Sequence, residues 1–383
     1  MTSLYSRNEP VLLVSACDFG WGSLGKLRFI LDELPEVRVS LDTEPRFSST
    51  IRSMLGNRQS FAQCERDAAS VGLVINDPQA ANELTCCGVP VIYVDSLPYL
   101  WTIPEEVPQS VAVYCAQKAP TDLAADSPLA GRDDTIWVDS IVPRTRARSG
   151  GGGVVINVGG LHSYLAGAST DAYVSLAVMP LARLLAEASY PVAAVCGNLP
   201  RWASRDLSRL LPAETKIGPQ PPHEFERTLS SADSLITSPG STTILQAAAI
   251  GLPVSLLPPQ NLSQILNIDI YSSPSMSICN WPGSVIDRTE VDSLRLGGEG
   301  RVLEYIYKQI IQAAANEAMQ AIMLRQFASI LREFAGGSHV PAHVSVLGFN
   351  GASQVARILR QAILAPFPSP NRTTGNEASS RGN

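Results

Sequence analysis

A glycine-rich turn near the amino terminus is the first stretch whose residue types and spacing could do chemistry. It runs Gly20-Trp21-Gly22-Ser23-Leu24-Gly25-Lys26. The spacing is that of a P-loop, but a P-loop continues with a Ser or Thr that binds Mg²⁺, and here Leu27 follows. We therefore favour a turn where substrate approaches the backbone at a helix N-terminus, over a P-loop and over a turn that serves only packing. The predicted substrate-binding residues are Gly20, Trp21, Gly22, Ser23 and Lys26.

A second stretch, from Ser238 to Pro253, joins a strand, a glycine and a run of hydroxyl residues in an order that suits a diphosphate. The predicted strand 234–237 runs into Ser238-Pro239-Gly240, and a helix opens directly afterwards. Free backbone N–H groups and the helix dipole at such a start can hold an anion, although the hydroxyl residues could also merely cap the helix. The predicted ligands are the backbone of Gly240, the hydroxyls of Ser241, Thr242 and Thr243, and the amide of Gln246 near a ribose.

Uncharged amide side chains follow the next strand, between Gln260 and Asn267. Amides exchange hydrogen bonds with hydroxyl groups without adding charge, which suits a sugar. They could equally belong to a loop that binds nothing. Because they come on the turn after the diphosphate motif, we expect Gln260, Asn261 and Gln264 to contact a sugar donor.

Alternating strands and helices must position these motifs. In the first half, apolar runs at 11–16, 71–75 and 89–94 predict buried strands. Amphipathic patterns at 24–34 and 80–87 predict helices between them. This alternation is typical of a parallel sheet that helices cover.

The pattern restarts after residues 142–153, whose arginines and four consecutive glycines predict a flexible, solvated linker. Two such halves place a cleft between the carboxyl ends of two sheets. From Pro366 onward the polar composition predicts disorder. The further predicted strands are 154–158, 192–195, 234–237 and 254–257, and the further helices are 173–188, 243–250, 303–332 (one helix or two) and 352–363.

Composition bounds the classes of function. The chain has 383 residues, 45% of them hydrophobic, and a formal net charge of −6. Nucleic-acid binding is disfavoured because it needs a basic surface. No apolar run reaches the roughly 20 residues of a membrane span, and the polar start lacks a signal peptide's apolar stretch. The seven cysteines form no CxxC pair, so we expect reduced thiols, a cytoplasmic protein and no zinc site.

The stretch 238–267 resembles the donor-binding region of GT-B UDP-glycosyltransferases, especially the N-acetylglucosaminyltransferase of peptidoglycan synthesis. The matching positions are Gly240, Gln246, Gly251, Pro253, Gln264 and Asn267. Gln246 stands where the family pattern has an acid that holds the ribose. The resemblance implies a second phosphate-side loop at Gly159-Gly160 and main chain near Ile217 against the uracil. His162, two residues after Gly160, is expected to face the cleft. For His162 a surface loop position is an open alternative.

The same resemblance implies an α/β fold of two Rossmann-like, doubly wound parallel-sheet domains that face a central cleft. An acceptor-binding domain is expected at 8–142, a nucleotide-sugar-binding domain at 152–350, and a helix at 351–365 that packs back on the first domain, before a tail at 366–383. The implied partners are a UDP-sugar and a small-molecule acceptor. No cofactor and no metal ion are implied, because helix N–H groups can stabilise the departing diphosphate.

Two short stretches of the first half, 19–27 and 95–101, are similar to cytosylglucuronate synthase and its related proteins, which belong to nucleoside-antibiotic biosynthesis. This similarity implies transfer of glucuronic acid from UDP-glucuronate to free cytosine. It also places Asp95 at the acceptor.

Asp18, between the first strand and the glycine turn, is the predicted catalytic base. Ligands gather outside the carboxyl ends of parallel strands, and Trp21 offers a flat face on which a planar acceptor can stack. Asp18 could instead cap the following helix, in which case Asp77 and Asp95, also at strand ends, are the next candidates.

Two other functions stay open at the level of sequence. One is a nucleotide-sugar 2-epimerase, which shares this fold and donor site. The other is a non-catalytic paralogue that binds a nucleotide sugar or nothing, which the Gln246 substitution keeps open. The sugar, the stereochemical outcome and the oligomeric state do not follow from the sequence.

Overall fold

The strands of the protein form two parallel sheets. The computed structural model describes residues 10–17, 19–41, 69–120, 128–129, 132–144, 147–161, 167–273, 276–334 and 342–364. The first sheet has the order β2-β1-β3-β4-β5-β6 and the second the order β11-β10-β7-β8-β9. The first sheet comprises β1 Val11–Ala16, β2 Arg38–Leu41, β3 Val71–Ile75, β4 Val91–Asp95, β5 Val113–Gln117 and β6 Thr135–Val138. The second comprises β7 Val154–Asn157, β8 Val192–Cys196, β9 Lys216–Ile217, β10 Ser234–Thr237 and β11 Val254–Leu256.

The first sheet is covered on both faces. Every residue of β1 is buried, as expected for a strand between two helical layers. Leu12 and Val14 pack on one side, against α1 (Gly22–Asp32) and the last helix of the chain, whereas Leu13 packs on the other against α2 (Pro78–Cys86). The sheet is therefore doubly wound.

Helices also surround the second sheet, and the predicted pattern of strands and helices is confirmed in outline. The stretch predicted at 303–332 is two helices. The helices are α3, made of Ser169–Tyr173, a π-helical turn Val174–Val178 and Met179–Glu187, then α4 Arg201–Leu210, α5 Pro222–Ser231, α6 Ser241–Ala249, α7 Leu262–Tyr271, α8 Arg288–Arg295, α9 Glu299–Ala314 and α10 Glu317–Phe334.

Sequence reasoning missed the strands β2, β5, β6 and β9, and also the helices α4, α5 and α8. The β6 strand carries Ile136 and Trp137 as partly exposed residues at the sheet edge, so it lacks the continuous buried apolar run that marks a central parallel strand. Sequence patterns therefore predict buried central strands more readily than partly exposed edge strands such as β6.

The glycine linker differs from the expectation of a free, solvated chain. The N–H groups of Gly151 and Gly153 donate to the Asp233 carboxylate, at 2.6 and 2.9 Å. Gly153 has φ +84°, and a Cβ there would lie 2.3 Å from the carbonyl oxygen of Pro191. These glycines therefore let the linker lie against the second domain.

The final helix, α11 (Gly351–Leu364), packs on the first domain rather than the second. Arg360 Nε lies 2.7 Å from a carboxylate oxygen of Glu36, and the Gln354 side chain accepts a 2.7 Å hydrogen bond from the backbone of Asp139. The chain thus crosses back after it completes the second sheet. The tail at 366–383 lies outside the described residues.

Within the described residues, no helix combines the length and apolar character that crossing a membrane requires.

Candidate active site

A cavity of about 1180 Å³ lies between the carboxyl ends of the two sheets. Parallel strands present their carboxyl ends at one edge, so residues just past several strands meet there. From the first sheet these are Cys17, Asn76 and Asp95, and from the second they are Asn157, Cys196 and Ser238. Both domains therefore contribute to one site.

Two helix N-termini meet at this cavity. The N-cap residues Trp21 of α1 and Gly240 of α6 make no side-chain capping hydrogen bond. The first N–H groups of a helix have no partner within the helix, and they attract anions. A Cβ at Gly22 would lie 3.3 Å from Thr242 Oγ1, so the two helix starts are in close contact.

Lys26 joins the two helices. Its ammonium donates a 2.6 Å hydrogen bond to Thr242 Oγ1, although the side chain is only 1% exposed. Burial lowers the pKa of Lys26 to about 7. No carboxylate of the described residues forms an ion pair with it. The sequence placed Lys26 with the acceptor, whereas its charged end contacts the second domain.

The hydroxyl residues of α6 face the cavity as a group. Ser241, Thr242, Thr243 and Gln246 all line it, together with Gly240. Asn157, at the end of β7, donates to Thr243 Oγ1 at 3.4 Å and to Thr237 Oγ1 at 3.0 Å. The predicted diphosphate motif thus has its hydroxyl and N–H groups together at one wall.

The amide cluster after β11 is mostly engaged within the protein, which the sequence did not indicate. Asn261 caps α7 by accepting a 2.9 Å hydrogen bond from the Gln264 backbone N–H, so most of the expected loop is a helix. Gln264 accepts from the backbone of Gln260, whose own amide donates to Ser238 Oγ at 2.7 Å. Of the three predicted ligands here, Asn261 lines the cavity, and Gln260 and Gln264 do not.

The remaining predicted donor residues are only partly at the site. Gly160 lies in a 3₁₀ turn, Gly159–Leu161, in which Gly159 reaches the cavity wall. Ile217 does not line the cavity, whereas Pro219 beyond it does. Asp18 and His162 lie outside the described residues. The structure brings all six predicted acceptor residues to the cavity: Gly20, Trp21, Gly22, Ser23, Lys26 and Asp95.

Asp95 is held by three donors at the first-domain wall. Its carboxylate accepts hydrogen bonds from Tyr114 and Trp101, each at 2.6 Å, and from the Leu97 backbone at 2.9 Å. Burial raises the pKa of Asp95, and these three hydrogen bonds oppose that rise. Asp95 is only 2% exposed. It therefore holds Tyr114 and Trp101 in position at the wall of the cavity and presents little surface of its own.

Tyr93 is a site residue that sequence reasoning missed. It lies two residues before Asp95 on β4, is fully buried and lines the cavity. No described residue accepts or donates a hydrogen bond at its hydroxyl. Buried hydroxyls usually have a partner, so this one is suited to a ligand. The sequence could have indicated Tyr93, because it lies two residues before Asp95 and alternate residues of a strand face the same side.

Contacts between the two domains frame the cavity further. Arg295 of α8 donates to the backbone oxygen of Tyr99 at 2.6 Å, and the Tyr99 hydroxyl bonds the side-chain oxygen of Asn267. The Asn267 amide donates to the Pro239 carbonyl at 2.7 Å, directly before Gly240. These contacts join the first domain to the diphosphate motif. Their partners lie far apart in the sequence, so pattern analysis could not find them.

Among the described residues, no group of three or more His, Cys, Asp or Glu side chains could hold a metal ion.

Two doubly wound parallel-sheet domains that face a shared cleft, with a last helix returned to the first domain, define the GT-B fold. A sequence model of the family described as CGA synthase-related protein matches residues 23–271. That match spans more than half of the chain, and the protein belongs to this family. No curated protein matches the sequence.

Solved structures with this architecture share little sequence with the chain. Acinetobacter baumannii MurG is 14% identical, with 82% of this chain and 98% of that chain covered and a TM-score of 0.44. Spinosyn rhamnosyltransferase SpnG, complexed with thymidine diphosphate, is 14% identical, with 88% and 99% covered and a TM-score of 0.45. A putative UDP-N-acetylglucosamine 2-epimerase from Listeria monocytogenes is 11% identical, with 95% and 98% covered and a TM-score of 0.46.

Proposed function

We propose that the protein is a metal-independent glycosyltransferase that moves a sugar from a UDP-sugar to a small acceptor. The observation that carries this proposal is the start of α6, whose hydroxyl residues and uncapped N–H groups line a cleft between two parallel sheets. A diphosphate in that place would be held by backbone donors and the helix dipole.

In this proposal the second domain, about 152–350, holds the donor. Gly240, Ser241, Thr242 and Thr243 contact the diphosphate, and Gln246 reaches the ribose. The uracil lies near the stretch 216–219, where Pro219 lines the cavity. Asn261, which also lines it, has the amide available to the sugar, whereas the amide of Asn267 is engaged by Tyr99 and Pro239. Gln260 and Gln264 support this wall from behind.

The first domain, about 8–142, holds the acceptor. Trp21 and Trp101 give this side of the cavity flat apolar surfaces, and Asp95 and Ser23 add polar groups. Membership of the CGA synthase-related family supports a narrower form of the proposal, in which glucuronic acid passes from UDP-glucuronate to cytosine during antibiotic biosynthesis. The six described cysteines are free thiols, which fits a reducing, cytoplasmic setting.

The proposed reaction is one displacement at the anomeric carbon. The acceptor nitrogen forms the new bond to that carbon, and the bond from the carbon to the β-phosphate oxygen breaks with its electron pair on the oxygen. The acceptor proton passes to a base, for which Asp18 remains the predicted residue. Helix N–H groups stabilise the charge on the departing UDP without a metal ion.

The test is to incubate the full chain with UDP-glucuronate and cytosine in EDTA and to quantify UDP and the conjugate by mass spectrometry. We expect equal amounts of both, and no turnover when cytosine is omitted. Conversion of the UDP-sugar without any acceptor would instead indicate an epimerase. Activity that chelation abolishes and Mg²⁺ or Mn²⁺ restores would contradict the metal-independent mechanism. If the protein transfers another sugar or uses another acceptor, only the narrower proposal of transfer from UDP-glucuronate to cytosine would be wrong.

A further inference from the structure

We propose that Lys26 reaches across the cleft to bind the diphosphate of the donor and to stabilise the charge on the departing nucleotide. This inference rests on the proposed function. It also moves Lys26 from the acceptor side of the site, where the sequence placed it, to the donor side.

The position of the Lys26 ammonium supports this role. Lys26 lies one turn into α1, and its side chain reaches the second residue of α6, with Nζ 2.6 Å from Thr242 Oγ1. An ammonium has three N–H donors, and this contact uses one of them. We propose that the diphosphate binds at the start of α6, so the two remaining N–H donors of Lys26 lie close to it.

The electrostatic setting gives a second reason. A buried cation is costly unless a negative charge compensates it. Lys26 is almost fully buried, and no described carboxylate pairs with it. The other cation lining the described cavity, Arg295, already donates to the backbone oxygens of Tyr99 and Leu100. A bound diphosphate would supply the missing charge at Lys26.

During transfer, the electron pair of the breaking bond moves to the β-phosphate oxygen. A lysine ammonium within hydrogen-bond distance of that oxygen would stabilise the transition state more than the ground state, because the charge develops only as the bond breaks. Lys26 would therefore affect both donor binding and the rate of transfer.

The competing explanation is that Lys26 only links the two domains through Thr242. Removal of such a link would weaken the binding of charged and uncharged ligands equally. Binding can therefore be measured with three probes: UDP-glucuronate, inorganic pyrophosphate, and uridine, which lacks the diphosphate. The variants are Lys26→Met, which removes the charge, Lys26→Arg, which keeps it, and Lys308→Met on the exposed face of α9 as the matched control.

We expect isothermal titration calorimetry to show that Lys26→Met weakens UDP-glucuronate and pyrophosphate by about tenfold or more, the range for a hydrogen bond to a charged group. Uridine affinity should stay unchanged, Lys26→Arg should retain most of the diphosphate affinity, and Lys308→Met should match the wild type. A circular dichroism melt of each variant checks that it folds.

Equal weakening of all three probes, or no weakening, would overturn the inference and leave the proposed function standing. If the wild type bound pyrophosphate through Lys26 but no UDP-sugar, the proposed function would fail and the anion site would remain. If the wild type bound neither UDP-glucuronate nor pyrophosphate, both the inference about Lys26 and the proposed function would be wrong.

Discussion

The side-chain amide of Asn76 donates a 2.9 Å hydrogen bond to Ser23 Oγ. It thereby ties the end of β3 to the first turn of α1. The same amide donates to Ser96 Oγ at 2.8 Å, and its oxygen accepts from the Ser96 backbone at 2.8 Å. Asn76 also has φ +52°, a left-handed conformation that Asn tolerates better than most residues. One residue thus fixes the glycine turn against the loop after β4.

Substitutions of Asn76 distinguish the contribution of its side-chain hydrogen bonds from that of its left-handed backbone conformation. Asn76→Gly keeps the backbone conformation and removes the side-chain hydrogen bonds, so we expect a loss of about 1–3 kcal/mol from groups left without partners. Asn76→Ala adds about 1 kcal/mol of backbone strain at positive φ. Thermal denaturation should therefore rank the wild type above Gly and Gly above Ala. An alanine variant at least as stable as the glycine variant would show that the backbone is not left-handed here.

The buried ammonium of Lys26 should make stability depend on pH. The pKa is about 7 in the folded protein, below its ordinary value of 10.5, so the unfolded chain binds more protons between these two values. The penalty for burying the charge is complete below about pH 7 and disappears as the pH approaches 10.5. We expect Lys26→Met to be more stable than the wild type at pH 6, by up to about 5 kcal/mol at roughly 1.4 kcal/mol per pKa unit, and this advantage to shrink at alkaline pH. Melting curves from pH 6 to 10 measure it, and a constant difference would contradict the assignment.

The unpartnered hydroxyl of Tyr93 should serve the acceptor. Tyr93→Phe should lower kcat/KM for the acceptor about two- to tenfold, the worth of one neutral hydrogen bond, and should leave UDP-sugar affinity and the melting temperature unchanged. Tyr114→Phe is the contrasting variant, because that hydroxyl already bonds Asp95, so the melting temperature should fall. Unchanged acceptor kinetics in Tyr93→Phe would remove this residue from the acceptor site.

The hydroxyls of Thr242 and Thr243 should contribute to diphosphate binding. Valine keeps the shape of threonine and removes its hydroxyl. Each single replacement should weaken UDP about two- to tenfold, and the double replacement should weaken it further. Titration with uridine is the control, because it has no diphosphate. UDP affinity equal to the wild type in both single variants and in the double variant would remove these two hydroxyls from the diphosphate site.

Asp18, outside the described residues, is the predicted base. The N-cap of α1 is Trp21 and not Asp18, so Asp18→Asn should leave UDP binding and stability close to normal. Loss of a general base lowers turnover by roughly 10²-fold or more. Single-turnover rates with saturating UDP-sugar measure this step. A rate near that of the wild type would leave Asp77 and Asp95 as the candidates. Asp95 accepts three hydrogen bonds, and Asp77 accepts one from the Ala80 backbone at the start of α2.

The sequence predicted the elements that carry a strong local pattern. Strand β3 is an apolar run that is buried in the structure, and the start of α6 follows a Pro-Gly pair. The helix α7 was predicted as a loop, although Asn261 followed by Leu262, Ile265 and Leu266 is a capped amphipathic pattern. There the resemblance to a donor loop outweighed a local signal that was correct.

What could not be predicted depends on contacts between distant residues. Lys26 and Thr242 are 216 residues apart, and no periodicity indicates that one ends beside the other. The three donors to Asp95 come from a loop and a neighbouring strand, so its carboxylate could be placed at a strand end but not known to be engaged. Sequence patterns position residues along an element, whereas packing decides which side chains remain free.

A crystal structure of the protein with bound UDP would show directly whether the start of α6 holds the diphosphate. We predict that the diphosphate oxygens lie within about 3.2 Å of the first N–H groups of α6 and of Lys26 Nζ, with the uracil towards Pro219. UDP bound instead on the first-domain wall beside Asp95 and Tyr93, or outside the cleft altogether, would contradict it.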